Sequence, residues 1–214
     1  MKLYLDTADA KQIERHLATG LFSGVTCNPV ILKAAGLTPD TAHVLYNQAT
    51  AAGAEQVFLQ TFGATFEDQL AQGLRYRELG PEVVVKVVCT GTGLAVARRL
   101  ESQGVTTLLT AIHDAKQTLS AMAAGATYVA PYLSEMYASG RDGIAQVLSM
   151  LKMLKAEHSR TTLVMAGFHD IPTMVTLAEA GMEYLTITPA IADTLFAQPE
   201  TEAMAAFFDQ ASGV

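Results

Sequence analysis

Pro81-Glu-Val-Val-Val-Lys-Val-Val-Cys-Thr90 is the stretch on which the reading of this chain turns. Five valines surround one lysine in a run too short to cross a membrane and too β-branched to favour a helix. Such a run reads as a strand buried on both faces, as in parallel sheets. Lys86 interrupts it. A buried cation costs several kcal/mol unless it is paired or loses its proton. An unprotonated lysine is a nucleophile for carbonyl carbon and can form a Schiff base. The plainer alternative is a lysine near a strand end whose stem carries its charge out to water. The rest of the chain decides between the two.

Outward from that strand, short apolar runs alternate with segments of helical spacing. Strands are expected over 3–6, 23–27, 56–61, the valine run, 105–110, 127–131, 161–165 and 184–188. Helices are expected over 7–18, 41–52, 66–79, 93–103, 114–124, 144–156, 171–180 and 189–196, with glycines as frequent stops. A polar loop is expected from the sixth strand through Gly140, and a further amphipathic segment at 201–210 lies outside the eightfold count. Eight strand–helix units with right-handed crossovers close most readily into a (β/α)8 barrel, the TIM-barrel class of α/β fold. An open doubly wound sheet should carry a glycine-rich turn after its first strand, where this chain has Asp6-Thr-Ala-Asp9. The expectation is therefore a single barrel domain over 1–214 with an extra C-terminal helix at 200–211.

Composition narrows the function. With 214 residues and 50% hydrophobic side chains, the chain has material for one sizeable core. A net charge of -7 argues against a partner bound through nucleic-acid phosphates. No long apolar run or signal peptide is read, so neither a membrane partner nor export is expected. Cys27 and Cys89 lack metal-ligand spacing and suit reduced thiols in a cytoplasmic protein.

In such a barrel the chemistry gathers where strands end. Those positions hold Asp6, Thr26 and Asn28, Gln60, Lys86, Thr110, Tyr132, Gly167 with His169, and Thr188. Taken singly, each has a structural explanation: Asp6 could cap a helix, Asn28 could make an Asx turn before Pro29, and Thr110 suits a strand. Taken together they surround one lysine with the needs of a Schiff-base aldolase. Lys86 supplies the amine. Tyr132 is the candidate proton shuttle, directly or through a water held by Gln60 and Thr110. Asp6 and Asn28 could grip the hydroxyls of a polyol, and no histidine–carboxylate cluster suggests a metal.

Leu3-Tyr-Leu-Asp-Thr7, Gly24-Val-Thr-Cys-Asn-Pro29, Val84-Val-Lys-Val87 and Tyr128-Val-Ala-Pro-Tyr132 resemble the small transaldolase subfamily that includes fructose-6-phosphate aldolase. The likeness runs in register to about Phe208. It implies a metal-free barrel that needs no cofactor and holds dihydroxyacetone as a Schiff base on Lys86. It further implies proton handling by Tyr132, Gln60 and Thr110, and dihydroxyacetone contacts from Asp6 and Asn28, with Thr26 beside them. It implies a homo-oligomer, pentamer or decamer, in which 201–210 packs on a neighbouring subunit. Within the resemblance, a free aldolase and a strict transaldolase are both open. A barrel that has lost catalysis and binds sugar is the reading from another class, and the intact lysine, tyrosine, glutamine and aspartate argue against it.

The departures fall on one side of the site. Cys27 stands where threonine is usual. Pro131-Tyr-Leu-Ser-Glu135 replaces Pro-Tyr-Val-Asn-Arg, so a carboxylate takes the place of the arginine that binds phosphate. Ala166-Gly-Phe-His169 replaces Ala-Ser-Phe-Lys, which removes a hydroxyl at Gly167 and weakens a positive site at His169. A like charge a few ångströms from a phosphate costs on the order of 1–4 kcal/mol. The expectation is a conserved dihydroxyacetone half-site and an acceptor aldehyde without phosphate. Arg141, Lys33 or a protonated His169 could restore the charge, or Glu135 could turn out to solvent.

Overall fold

In the valine run, residues alternate between two environments. Val83, Val85 and Val87 belong to the outer core beneath the helices, whereas Val84 packs inside with Tyr4, Phe58, Leu108, Ala130 and Val164. One face packed under helices and the other only against residues of other strands suits a sheet closed on itself with helices outside. A computed structural model describes residues 1–213 and has that arrangement. Its strands are β1 (Lys2–Asp6), β2 (Phe22–Thr26), β3 (Gln56–Gln60), β4 (Val83–Val88), β5 (Thr107–Ile112), β6 (Tyr128–Pro131), β7 (Thr162–Met165) and β8 (Tyr184–Ile187). They pair in parallel in chain order, and β8 returns to β1 to close an eight-stranded barrel.

Helices α1 (Ala10–Leu17), α2 (Pro29–Ala34), α3 (Ala42–Ala51), α4 (Phe66–Arg77), α5 (Gly91–Glu101), α6 (Ala115–Ala124), α7 (Leu133–Ala138), α8 (Gly143–Ala156), α9 (Ile171–Glu179), α10 (Pro189–Phe196) and α11 (Pro199–Ser212) connect the strands and end the chain. Asp9, Asn28, Thr65, Thr90, Asp114, Asp142, Asp170 and Thr188 each cap a helix with a side-chain oxygen. Each cap satisfies backbone N–H groups that the first turn leaves free. Because every crossover helix starts at the carboxyl end of a strand, these caps crowd the same rim as the site.

Three elements differ from the sequence expectation. Asn28 and Pro29 do more than close β2: Pro at the first helical position and Asn as cap start α2 at once. The segment expected as a loop after β6 winds into α7, which lifts Glu135 onto a helix. β5 runs two residues further than expected, to Ile112, with Ala111 at φ 59° where the register to β6 shifts. Thr110 is therefore inside the strand and not at its end. The last helix is present, and none of its residues is buried. Among the described residues no helix is long and apolar enough to cross a membrane.

Candidate active site

Lys86 lies one inward step beyond Val84 on β4 and is only 5% exposed. Its backbone is in register with Gln60 on β3 and Leu108 on β5. Its side chain lines a cavity of about 190 Å³ at the carboxyl end of the barrel. Leu108, Ala130 and Val164 from the inner core form the cavity's apolar part. Among the described residues no carboxylate makes an ion pair with Lys86. The strand thus buries an amine without a direct ion pair to hold it.

Polar groups line the rest. Asp6 ends β1 and Thr26 ends β2, and Thr26 Oγ1 donates to Asp6 Oδ1 at 2.6 Å. Thr186 on β8 stands 2.6 Å from the same Thr26 hydroxyl. Asn28 Oδ1 accepts from the backbone of Val30 and Ile31 at 2.9 and 3.0 Å. That cap uses the carbonyl oxygen, so the amide Nδ2 is the part left to donate to a ligand. Thr110 Oγ1 donates to the Tyr132 hydroxyl at 2.9 Å, which leaves the phenol proton free to be given away. The rings of His113 and Tyr132 are nearly perpendicular, with centroids 6.3 Å apart.

Seven of the residues expected from the sequence share the cavity wall: Asp6, Thr26, Asn28, Lys86, Tyr132, Glu135 and Gly167. Four stand outside the wall. Thr110 acts from behind Tyr132, and Gln60 sits beside Lys86 in register. His169 is exposed and lines an adjoining depression that shares Ser134 and Gly167 with the cavity wall. Thr188 caps α10 and does not reach the cavity. Sequence reading missed Ser134 and Thr186, both in the wall. The signal for Thr186 was the period of two: residues 184, 186 and 188 share a face, and the end of the run drew attention from its middle.

The departures now have places. Cys27 belongs to the outer core, its Sγ donating to the Phe58 carbonyl at 3.3 Å. Burial pushes its thiol up to about 12, against the pull of nearby Lys86, so it stays protonated and inert. Gly167 adopts φ +70°, and a Cβ there would lie 3.1 Å from Ser134 Oγ. Glycine suits that left-handed backbone, and the Ser134 hydroxyl fills the space a side chain would take. Arg141 does not reach into the cavity: its Nη1 donates to Ser139 Oγ at 2.6 Å and its Nε lies 3.7 Å from Asp114. Lys33 is exposed on α2, away from the wall. The charged side chains of the lining are one cation, Lys86, and two carboxylates, Asp6 and Glu135. Among the described residues no group of three or more histidine, cysteine, aspartate or glutamate side chains gathers to hold a metal ion.

Comparison with known proteins bears on fold and family separately. A family model described as transaldolase/fructose-6-phosphate aldolase matches residues 3–213. A solved structure, the thiamine phosphate pyrophosphorylase from Pyrococcus furiosus, superposes with a TM-score of 0.61 at 12% identity. The match covers 87% of this chain and 85% of that one. At that identity the second likeness concerns the barrel alone.

Proposed function

Because the chain belongs to the transaldolase/fructose-6-phosphate aldolase family, and so is an enzyme of aldolase or transaldolase type, we propose that it is a metal-independent class I aldolase working through Lys86. The observation that carries this reading is the placement of Lys86: buried, unpaired, and open to a small polar cavity. Lys86 Nζ, once unprotonated, adds to the ketose carbonyl, and water leaves as the iminium forms. A base removes the proton of the hydroxyl next but one to that carbon. The bond between that hydroxyl-bearing carbon and the carbon next to the iminium breaks. The hydroxyl-bearing carbon departs as the aldehyde, and the electron pair is held as an enamine on the lysine. A proton delivered to the enamine carbon and hydrolysis of the iminium release dihydroxyacetone and restore the amine.

Tyr132 is the proton carrier in this scheme. The hydrogen bond it accepts from Thr110 fixes the phenol and keeps its own proton pointed at the ligand. Gln60, level with Lys86, is positioned to share a water with Tyr132 and Thr110. The Asp6 carboxylate and the Asn28 amide present an acceptor and a donor to the hydroxyls of the dihydroxyacetone unit.

The acceptor side favours an aldehyde without phosphate. Glu135 stands exposed at the mouth. Lys33, Arg141 and His169 are not among the lining residues, His169 standing in the adjoining depression, so Lys86 is the one cationic side chain of the wall. Ser134 offers the hydroxyl that Gly167 lacks. The test is release of dihydroxyacetone from fructose and from fructose 6-phosphate without an added acceptor sugar. The expected result is cleavage of the free ketose at least as efficiently as its phosphate, and a shift of about tenfold or more towards the phosphate in Glu135→Arg. Cleavage of the phosphate far more efficiently than of the free sugar would overturn the acceptor assignment. Release that requires an acceptor sugar would make the enzyme a strict transaldolase.

The reading extends to assembly. Helix α11 buries none of its residues on its own barrel, yet exposes Met204, Phe207 and Phe208 by 51%, 61% and 60%. A helix so placed is stabilised by another surface. We assign that surface to a neighbouring subunit of a homo-oligomer. The free thiols suit a cytoplasmic setting.

A further inference from the structure

Three hydroxyl-bearing or carboxylate side chains from three strands meet below the ligand space: Asp6 of β1, Thr26 of β2 and Thr186 of β8. The register sets Thr26 beside Asp6 and Thr186 beside Tyr4, whose ring belongs to the inner core underneath. Both oxygen–oxygen separations are 2.6 Å, and both threonines are less than a tenth exposed. The direction of the chain follows from counting protons. A carboxylate can only accept, and a threonine hydroxyl has one proton to give. Thr26 gives its proton to Asp6, so the contact between the threonines is possible only with Thr186 as the donor.

We propose that Thr186 is a positioning residue of this site, fixing Asp6 through Thr26 by a one-way chain of hydrogen bonds. Thr186 donates to Thr26, and Thr26 donates to Asp6. A hydroxyl that accepts one bond donates a stronger one, so the chain tightens the last link. Its effect is to hold the Asp6 carboxylate at one rotation, with Oδ1 tied and Oδ2 left to the ligand. It has a second consequence for specificity. Having used its proton, Thr186 offers the cavity only lone pairs, as does Asp6. This wall therefore accepts hydrogen bonds and rejects ligands that bring a carbonyl or carboxylate oxygen to it. Its partner in the ligand is a hydroxyl group, whose proton it takes. Lys86, Asn28 and Tyr132 supply the donors on other parts of the wall, so the cavity is polar in a directed sense.

The inference rests on the aldolase reading, and the experiment separates the two. The half-saturating concentration of dihydroxyacetone for borohydride trapping would be measured on wild type, Thr186→Val, Thr186→Ser, Thr26→Val and the Thr26→Val/Thr186→Val pair. Circular dichroism would verify folding of each. Thr186→Val is expected to raise that concentration about tenfold, as for the loss of a hydrogen bond serving a charged group, and Thr186→Ser to restore it to within about twofold. Once Thr26 has lost its hydroxyl, removal of the Thr186 hydroxyl is expected to add nothing, because the chain passes through Thr26. Additive losses, or a Thr186→Ser variant as weak as Thr186→Val, would mean that Thr186 acts by packing alone and would overturn the proposal. Trapping on wild type that is unchanged in Thr186→Val would also overturn it while leaving the aldolase reading intact. No trapping on folded wild type would overturn the aldolase reading and the positioning role together.

Discussion

Lys86 and His16 are both buried ionisable side chains, and the fold treats them differently. Lys86 faces a cavity, whereas His16 on α1 is packed at 3% exposure against Phe22 with Arg15 at 2.8 Å and Asp193 at 3.5 Å. Burial and then Arg15 hold the His16 imidazole below its ordinary value of 6.5, with Asp193 opposing. The unfolded chain therefore binds the His16 proton more readily than the folded one. Its contribution to stability is complete above about pH 6.5 and falls as the pH drops from there towards the folded-state value. Melting temperature is expected to fall more steeply from about pH 7.5 to about pH 5.5 in wild type than in His16→Gln. Equal slopes would show that other groups set the acid limb. At this scale Lys86 was marked in sequence as a lone lysine amid five valines. The run alone left open a stem that carries the charge out to water, and the polar residues at the other strand ends were needed to favour a buried amine. Thr186 was not marked, because a threonine in a strand has an ordinary explanation until its hydroxyl is seen to have a partner.

Among the elements, the joint between α5 and the next two strands is fastened by one carboxylate. Glu101 Oε1 accepts from the Thr107 backbone at 2.8 Å and hydroxyl at 2.7 Å, and from the Thr127 backbone at 2.9 Å and hydroxyl at 2.8 Å. Thr107 is fully buried, so its two donors have no water to turn to when the carboxylate is removed. Glu101→Ala is expected to cost about 3 kcal/mol in urea unfolding. A loss below about 0.5 kcal/mol would mean that the strand starts are held by their ladders alone. The order of elements was readable from periodicity and glycine stops, and all eight strands were located. What escaped were short elements whose start signals resemble turns. Asn28-Pro29 reads equally as a turn or as a cap and first helical residue, and only the hydrogen bonds to Val30 and Ile31 separate the two. The kink at Ala111 carries no glycine to announce it, so Thr110 was taken for a strand end.

For the whole molecule, the barrel leaves its last helix without support from its own core. A chain ending at residue 198 is expected to keep its secondary structure by circular dichroism and to fall to a smaller species by light scattering. A truncated chain that assembles as the full one does would place the subunit contacts elsewhere, and one that unfolds would make α11 part of the barrel's own stability. The cavity's charge pattern is also a property of the whole. Asp6, Lys86 and Glu135 come from β1, β4 and α7, and only closure of the barrel sets them around one space. Sequence named these residues but not the absence of Lys33, Arg141 and His169 from that space, since which way a rim side chain turns depends on partners such as Ser139 and Asp114.

In the proposed reaction Lys86 holds the dihydroxyacetone unit covalently. Its most direct test is the intact mass of the protein after incubation with dihydroxyacetone and borohydride, with Lys86→Met in parallel. A single reduced adduct is expected on the wild type and none on the variant. A folded wild type that gains no mass, or a variant that gains as much, would contradict it.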